Sequence, residues 1–293
     1  MNKKQKIGLV LGGGGGKGAY QIGVWKALRE YKVDKYITYV SGTSIGSLNS
    51  LLFLGGDLDK AIHVWSNITR ETALTKKSVK EIFFKKSLYS RDGFIELAEK
   101  NVDFDKVSNS HIKTFVIATP VSKNIEGAPT SFTLNGKSKE DIIKYVLASS
   151  AIPLIFEPVV INGIKYRDGY MVDNNPVSVL KEQGCKVIFV VPLKEFSIAE
   201  ECSDENTLII DFVSPYNDYG IIDGTLDFAS DRAIMRMNHG YELAKQLIQE
   251  LLDKGVLAIT WKQKIKSFFK KKKNKREKNY YCLTKETLKH KPE

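Results

Sequence analysis

The segment that most restricts the fold of this chain is Gly42-Thr43-Ser44-Ile45-Gly46, a serine with a glycine two residues away on each side. Residues 36–40 before it are β-branched or aromatic, as in a buried strand. After it, apolar residues recur at helical spacing up to a glycine pair at 55 and 56. Glycine is needed wherever a Cβ would collide with the adjoining strand or helix. The pattern therefore predicts a sharp strand–turn–helix connection that pushes the Ser44 hydroxyl out of the backbone, with an ordinary glycine-serine turn as the alternative.

A second glycine-rich turn lies near the N-terminus. Residues 7–11 are apolar and predict a buried strand, the loop Gly12 to Gly18 consists of glycines and Lys17, and a helical pattern follows. Such a loop presents backbone N–H groups at a helix N-terminus, where they bind a phosphate or the oxyanion of an acyl-transfer intermediate. Consecutive glycines also carry a large entropic cost that a mere connection does not require.

The nucleotide-binding forms of this loop fit the sequence poorly. The phosphate loop of nucleoside triphosphatases needs a glycine where this chain has Leu11, and a serine or threonine where it has Gly18. Gly13, Gly15 and Gly18 have dinucleotide-binding spacing, but that turn also needs an acid at the end of the second strand, where Ser41 stands. We therefore favour an oxyanion-binding loop, with a purely structural loop as the alternative.

The rest of the chain alternates between strand and helix patterns. Strands are predicted at 113–119, 130–134, 164–166, 186–193 and 207–212, and helices at 58–68, 91–100, 138–148, 177–183 and 224–252. This alternation predicts an α/β fold whose mostly parallel sheet is covered by helices on both faces. One predicted strand end carries Asp168-Gly169, which either presents a carboxylate to a neighbouring loop or forms an ordinary turn.

Four segments together resemble the patatin-like phospholipases. In chain order they are Gly13-Gly14-Gly15-Gly16-Lys17-Gly18, Gly42-Thr43-Ser44-Ile45-Gly46, the loop from Ala148 to Pro158, and Asp168-Gly169 followed by Asn174 and Pro176. Each segment is modest alone, but their order and spacing form a specific combination. The resemblance implies a three-layer α/β/α sandwich and a lipid acyl hydrolase that uses a serine-aspartate dyad without a catalytic histidine.

The resemblance also implies roles for individual residues. Ser44 is the expected nucleophile and Asp168 its base, and the expected oxyanion donors are Gly14, Gly15 and Gly16. The supporting motif positions are Gly13, Lys17, Gly18, Gly42, Gly46 and Gly169. The expected substrate is a phospholipid or other acyl-ester lipid, cleaved through an acyl-serine intermediate, and the reaction needs no metal or organic cofactor.

Two alternatives stay open at this point. The family most often has glycine or alanine after the Asp-Gly pair, whereas this chain has Tyr170, whose bulk would suit a weakly active or inactive protein that acts at a membrane surface. The other alternative is a Ser-His-Asp esterase, for which His239 is the histidine best placed in the sequence, since it follows Asp168.

The C-terminal part of the chain has a different composition. The segment Lys262–Lys278 holds ten basic residues and one acid, and therefore nine of the eleven net positive charges of the 293-residue chain. Apolar residues recur within it at helical spacing, which predicts a basic amphipathic helix on an anionic membrane, with a solvated tail as the alternative. We accordingly expect a hydrolase domain at 1–255 and a basic tail at 256–293. Nucleic-acid binding is not expected, because no recognised binding fold accompanies the charge.

The sequence also indicates a compartment. No apolar run reaches the eighteen residues of a membrane span, and Cys185, Cys202 and Cys282 lack the paired spacing of a disulfide framework or zinc site. We expect a cytoplasmic protein with reduced thiols, peripheral at the inner membrane surface if the tail binds there. The oligomeric state is left undetermined by the sequence.

Overall fold

The computed structural model of the chain describes residues 5–78, 87–121, 128–194, 199, 201–214, 220, 224–257, 279–284 and 287. The strands are β1 Ile7–Leu11, β2 Tyr39–Thr43, β3 Thr75–Lys76, β4 Tyr89–Ser90, β5 Lys113–Pro120, β6 Thr130–Thr133, β7 Val159–Ile161, β8 Ile164–Asp168, β9 Val187–Val191, β10 Leu208–Asp211 and β11 Tyr280–Tyr281. The α-helices are α1 Ala19–Glu30, α2 Ile45–Gly55, α3 Leu58–Asn67, α4 Arg70–Ala73, α5 Asp92–Asn101, α6 Phe104–Ser108, α7 Lys139–Ser149, α8 Val177–Glu182 and α9 Ser230–Asp253. Short 3-10 turns occupy Gly15–Gly18, Asp34–Tyr36 and Gly169–Met171.

A mixed sheet forms the centre of the molecule. Within the described residues it has nine strands, in the order β11-β10-β9-β1-β2-β5-β8-β7, with β6 paired to β5 off this path. The strands from β11 to β5 run parallel, whereas β6 and β8 each pair antiparallel with β5, and β7 pairs antiparallel with β8. The glycine loop and the Ser44 turn therefore follow the carboxyl ends of the adjacent parallel strands β1 and β2, which is the edge where open α/β sheets place their ligands.

Apolar residues on both faces of the central strands explain the layered architecture. In β9, Val187, Phe189 and Val191 belong to the large core that α1, α2, α3 and α9 cover, while Ile188 and Val190 belong to a smaller core on the opposite face with α8. A strand buried on both faces reads as a continuous apolar run rather than an alternating one. The fold is thus the α/β/α sandwich expected from the sequence.

Most predicted elements are confirmed within a few residues of their expected bounds, and two differ. The predicted strand at 36–40 begins later, at Tyr39, because Asp34–Tyr36 forms a 3-10 turn. The long C-terminal helix begins at Ser230 rather than at 224, and the residues before it turn toward the glycine loop.

The predicted basic segment Lys262–Lys278 lies outside the described residues, so its amphipathic helix stays a prediction. The structure describes the chain again from residue 279. Tyr280–Tyr281 pairs in parallel with β10 as the edge strand of the main sheet. The Tyr280 hydroxyl donates a hydrogen bond to Asp211 Oδ2 at 2.9 Å. Residues beyond 255 therefore contribute to the sheet. Within the described ranges, every helix is too short or too polar to span a bilayer.

Candidate active site

Ser44 occupies the turn that the flanking glycines predict. Its φ of 56° and ψ of −125° lie in a region that non-glycine residues rarely adopt, and α2 begins immediately after it. A Cβ on Gly42 would lie 2.7 Å from the carbonyl oxygen of Gly46, and one on Gly46 would overlap the carbonyl oxygen of Leu11. Glycine at position 42 lets β2 and α2 meet closely, and glycine at position 46 lets α2 pack against the end of β1, and together these contacts hold Ser44 in this conformation.

The turn brings Ser44 to the end of β8. The Ser44 hydroxyl donates a hydrogen bond of 2.6 Å to Asp168 Oδ2, and both residues are buried. The Ser44 N–H donates to Ser149 Oγ at 3.0 Å, which ties the turn to the C-terminal end of α7. Two residues 124 positions apart in the sequence thus meet in a direct hydroxyl–carboxyl contact.

Asp168 is held in place by its own backbone and by the following turn. Its N–H donates to the carbonyl oxygen of Ala151 at 3.0 Å, its carbonyl oxygen accepts from Thr119 Oγ1 at 2.9 Å, and its Oδ1 accepts from the Tyr170 N–H at 2.9 Å. Burial raises the pKa of Asp168 to about 7, although the hydrogen bonds from Ser44 and Tyr170 lower it. The carboxyl group therefore changes its charge near neutral pH, where a general base is most effective.

The glycine loop lies beside Ser44. A Cβ on Gly13 would lie 3.0 Å from the Ser44 Cβ. Gly15 has a φ of +57° and lines the same cavity as Ser44. Among the hydrogen bonds of the described residues outside regular helices and strands, none is donated by the N–H groups of Gly14, Gly15 or Gly16. The 3-10 turn Gly15–Gly18 is closed by a hydrogen bond from the Lys17 N–H to the Gly14 carbonyl oxygen. Within the described residues, the loop thus offers N–H groups without a hydrogen-bond acceptor beside the serine.

Two residues that lie far from the loop in the sequence fix its position. Asn174 pairs with Gly13, since its Oδ1 accepts from the Gly13 N–H at 3.1 Å and its Nδ2 donates to the Gly13 carbonyl oxygen at 3.3 Å. On α9, Arg236 Nη1 donates to the carbonyl oxygens of Gly16 at 3.1 Å and Asp227 at 2.9 Å, while its Nη2 forms an ion pair with Asp227 at 2.9 Å. Arg236 is only 4% exposed, so it is a buried support for the loop.

A buried chain of side-chain amides supports the strand that enters the loop. The Trp65 indole N–H donates to Asn49 Oδ1 at 3.0 Å, and Asn49 Nδ2 donates to Gln21 Oε1 at 2.8 Å. Gln21 Nε2 in turn donates to the Gly12 carbonyl oxygen at 2.8 Å. Sequence reasoning missed these residues and Arg236, because a polar side chain on an apolar helix face gives no local sign of its partner.

The remaining sequence candidates lie at defined places. The Lys17 side chain is buried, and Gly18 packs so closely on Ile45 and Trp65 that a Cβ there would approach them to 2.7 and 2.8 Å. A Cβ on Gly169 would overlap the Ile117 carbonyl oxygen, so this position also requires close backbone approach.

The Tyr170 side chain lies at the protein surface. It is 52% exposed, and the Lys194 ammonium lies 4.8 Å from the centre of its ring. Within the described part of the chain, Tyr170 does not line the cavity bounded by Gly15 and Ser44. The bulk of this side chain, which would suit a blocked site, lies outside that cavity.

His239 lies in a different hydrogen-bonded cluster. Its Nε2 is 2.6 Å from Ser214 Oγ, and its ring packs 5.5 Å from the Tyr20 ring. Burial lowers the pKa of His239 to about 4. The Ser44 hydroxyl meanwhile donates directly to Asp168. The structure therefore shows no hydrogen bond, among the described residues, that links His239 to Ser44 or Asp168.

Comparison with known proteins decides the family. A family model described as patatin-like phospholipase matches residues 9–181, which include the glycine loop, Ser44 and Asp168. The chain belongs to the patatin-like phospholipase family. Along the chain, the matched region runs from β1 through β8 and into α8.

Curated relatives and solved structures resemble this patatin-like chain more distantly. The chain is 30% identical over 194 residues to lysophospholipase NTE1 of Yarrowia lipolytica and 27% identical over 196 residues to lysophospholipase NTE1 of Kluyveromyces lactis. Each match covers 64% of this chain but 12% of the relative, so the chain corresponds to a small part of those proteins. The crystal structure of VipD from Legionella pneumophila aligns over 85% of this chain and 67% of VipD, with a TM-score of 0.49 and 14% identity.

Proposed function

We propose that this protein is a lipid acyl hydrolase that cleaves carboxylic esters of phospholipids or lysophospholipids through a Ser44–Asp168 dyad. The observation that carries the proposal is the 2.6 Å hydrogen bond from the strained, buried Ser44 to the buried Asp168. A serine hydroxyl is a weak nucleophile, so a base must take its proton during attack. Asp168 already accepts that hydroxyl, and membership of a phospholipase family supports the lipid ester as substrate.

The first half of the reaction transfers the acyl group to the protein. Ser44 Oγ attacks the ester carbonyl carbon while its proton passes to Asp168, and the carbonyl oxygen becomes an oxyanion. The N–H groups of Gly14, Gly15 and Gly16 are the proposed donors to this oxyanion; one such donor typically contributes about 2.7–4 kcal/mol. The ester C–O bond then breaks, and the leaving alcohol takes the proton from Asp168.

The second half releases the fatty acid. Water attacks the acyl-serine carbonyl and gives one proton to Asp168. The Oγ–acyl bond breaks, Ser44 regains its proton from Asp168, and the carboxylic acid leaves. Because the carboxylate form of Asp168 is the base, kcat/KM should rise with pH through about 7, the pKa to which burial raises this residue.

The test is hydrolysis of a short-chain p-nitrophenyl ester, combined with labelling by a fluorophosphonate probe. Ser44→Ala and Asp168→Asn should each abolish turnover, and Ser44→Ala should abolish labelling. Ser131→Ala, at an exposed serine on β6, is the matched control and should keep both. A folded wild-type protein with neither turnover nor labelling would refute the proposal and favour an inactive patatin-like protein.

Substrate preference requires a second assay. A panel of diacyl phospholipids and the matching lysophospholipids, presented in mixed micelles, separates the two activities. The name of the fungal relatives supports the lysophospholipid. If the protein hydrolyses p-nitrophenyl esters but releases fatty acid from neither class of lipid, it is an esterase rather than a phospholipase.

We also propose that the protein works on the cytoplasmic side at an anionic membrane, to which the basic segment Lys262–Lys278 binds. Near such a surface each basic residue contributes about 1 kcal/mol, and salt screens the attraction. Truncation before this segment would also remove β11, so substitution is the cleaner test. Replacing Lys270 to Lys273 with glutamine should reduce co-sedimentation with anionic phosphatidylglycerol vesicles. Phosphatidylcholine vesicles, which carry no net charge, are the reference. Unchanged co-sedimentation would exclude this role.

A further inference from the structure

Two neighbouring voids lie along α2, and one of them begins at Ser44. The proximal void is bounded by Gly15, Ser44, Leu48, Phe94, Phe156 and Phe228, among others. The distal void lies between α2, α3 and α5, where its lining includes Leu48, Leu52, Trp65, Phe94, Ala98 and Val102. Ile45, Leu48 and Phe94 line both voids. The two voids therefore adjoin at these three side chains, along a path that leads from Ser44 past Leu48 and Phe94.

The lining of both voids is almost entirely apolar. In the proximal void the residues with hydroxyl groups are Ser44, Ser150 and Thr225. The distal void is lined by apolar side chains apart from Asn49. The Asn49 amide is already engaged, because it accepts from the Trp65 indole and donates to Gln21. A ligand that fits this path has an ester at one end and a hydrocarbon chain toward the other.

Helix α5 forms the outer wall of both voids and lies at the protein surface. None of its residues is fully buried, and Phe94, Leu97 and Ala98 are half-buried against the core. The Phe94 ring lies 5.6 Å from the Phe228 ring and 6.5 Å from the Phe156 ring, both edge-on. The voids measure about 20 and 40 Å³, which is room for one or a few water molecules. A long chain enters only if side chains of this wall move outward.

We propose that the two voids form one acyl-chain site, in which a single long hydrocarbon chain runs from Ser44 past Phe94 and ends beside Ala98. This inference rests on the proposed function, because it assigns the acyl half of the ester to a defined path. The distal void then determines chain-length preference: a short acyl chain ends in the proximal void, whereas a long chain gains contact with the distal lining.

Filling the distal void tests the assignment. Ala98→Phe places an aromatic ring there, and the measured quantity is the ratio of kcat/KM for p-nitrophenyl palmitate to that for p-nitrophenyl hexanoate. We expect this ratio to fall by about tenfold or more, since a pocket discriminates by roughly 10–200-fold per methylene that it cannot accommodate. Lys100→Phe adds the same ring to the exposed side of the same helix and should keep the wild-type ratio. If Ala98→Phe does not fold, Ala98→Leu is the smaller substitution at the same position.

A binding measurement separates this inference from the proposed chemistry. In the Ser44→Ala background, palmitic acid titrated calorimetrically should bind, and adding Ala98→Phe should weaken its Kd by about tenfold while hexanoic acid changes less. This result would support the acyl site even if wild-type hydrolysis were absent. If Ala98→Phe weakens the binding of palmitic and hexanoic acid equally, the assignment is wrong. It is also wrong if the kcat/KM ratio and the palmitic acid affinity both stay unchanged, and either result holds whether or not Ser44 is the nucleophile.

Discussion

Asp168→Asn should make the protein more stable at neutral pH while it removes the activity. The wild-type residue is 1% exposed, and its carboxyl group accepts hydrogen bonds from two neutral donors, the Ser44 hydroxyl and the Tyr170 N–H. Burial outweighs these bonds and raises the pKa from 3.8 to about 7. Ionising this group in the folded protein therefore costs free energy that the uncharged amide avoids.

The sign and size of the effect follow from proton linkage. Between about pH 4 and pH 7 the folded protein holds a proton on Asp168 that the unfolded chain has released, so the wild-type free energy of unfolding falls as pH rises. The slope is about 1.4 kcal/mol per pH unit, which amounts to about 4 kcal/mol in total by pH 8. The asparagine of the Asp168→Asn variant does not titrate, so the variant lacks this loss. Its amide keeps an acceptor for the Tyr170 N–H and turns its NH₂ group toward Ser44 Oγ.

Urea denaturation of wild type and Asp168→Asn at pH values from 5 to 8.5 measures the difference. The variant should gain about 3 kcal/mol relative to wild type between pH 5 and pH 8 and no more above that. Ser44→Ala removes a hydrogen bond that lowers the Asp168 pKa, so it should extend the pH-dependent range upward. A stability difference that is independent of pH would refute the argument that Asp168 titrates near neutrality.

Three further substitutions probe the turn and the loop. Ser44→Gly should be more stable than Ser44→Ala by about 1 kcal/mol in urea denaturation, because glycine relieves the strained backbone; equal stability would argue against strain. Gly16→Ala should abolish ester hydrolysis and lower the thermal midpoint, since its Cβ would overlap the Asp227 carbonyl oxygen, whereas Gly220→Ala, with open space around it and no left-handed backbone, should keep both. Arg236→Lys should cost about 1–3 kcal/mol of stability, because lysine keeps the charge beside Asp227 but cannot replace the forked contacts to the carbonyl oxygens of Gly16 and Asp227; wild-type stability would contradict this role.

Local patterns were sufficient to predict the two glycine turns. The strand at Ile7–Leu11 has the predicted bounds, and the Ser44 turn follows the second strand as expected. These elements are governed by interactions within a few residues, such as glycine's conformational freedom and the apolar run of a strand buried on both faces. The catalytic roles of Ser44 and Asp168 stay predictions, but the structure shows that the two side chains touch.

Contacts made across the whole chain could not be predicted in this way. Arg236 meets the Gly16 carbonyl oxygen 220 positions away, and it lies on an amphipathic helix where an arginine is common. Tyr280–Tyr281 forms an edge strand of two residues that follows a highly basic segment, and its length gives no periodicity to detect. In both cases the sequence shows which residue is present, but the residue that it contacts is known only from the folded structure.

His239→Ala separates the dyad from a Ser-His-Asp arrangement. A catalytic histidine has to stand between the serine and the aspartate, yet here Ser44 donates directly to Asp168 while His239 Nε2 lies 2.6 Å from Ser214 Oγ. Burial lowers the pKa of His239 to about 4. The side chain is therefore neutral at the pH where hydrolysis is measured, and its removal does not change the charge of the protein there. The variant loses a partly buried hydrogen bond and ring packing, which should reduce the free energy of unfolding by about 1–3 kcal/mol. Its kcat for a p-nitrophenyl ester should nevertheless stay within a fewfold of wild type below the unfolding transition. A folded His239→Ala protein as inactive as Ser44→Ala would show that the histidine takes part in the reaction and that the direct Ser44–Asp168 contact is not the working pair.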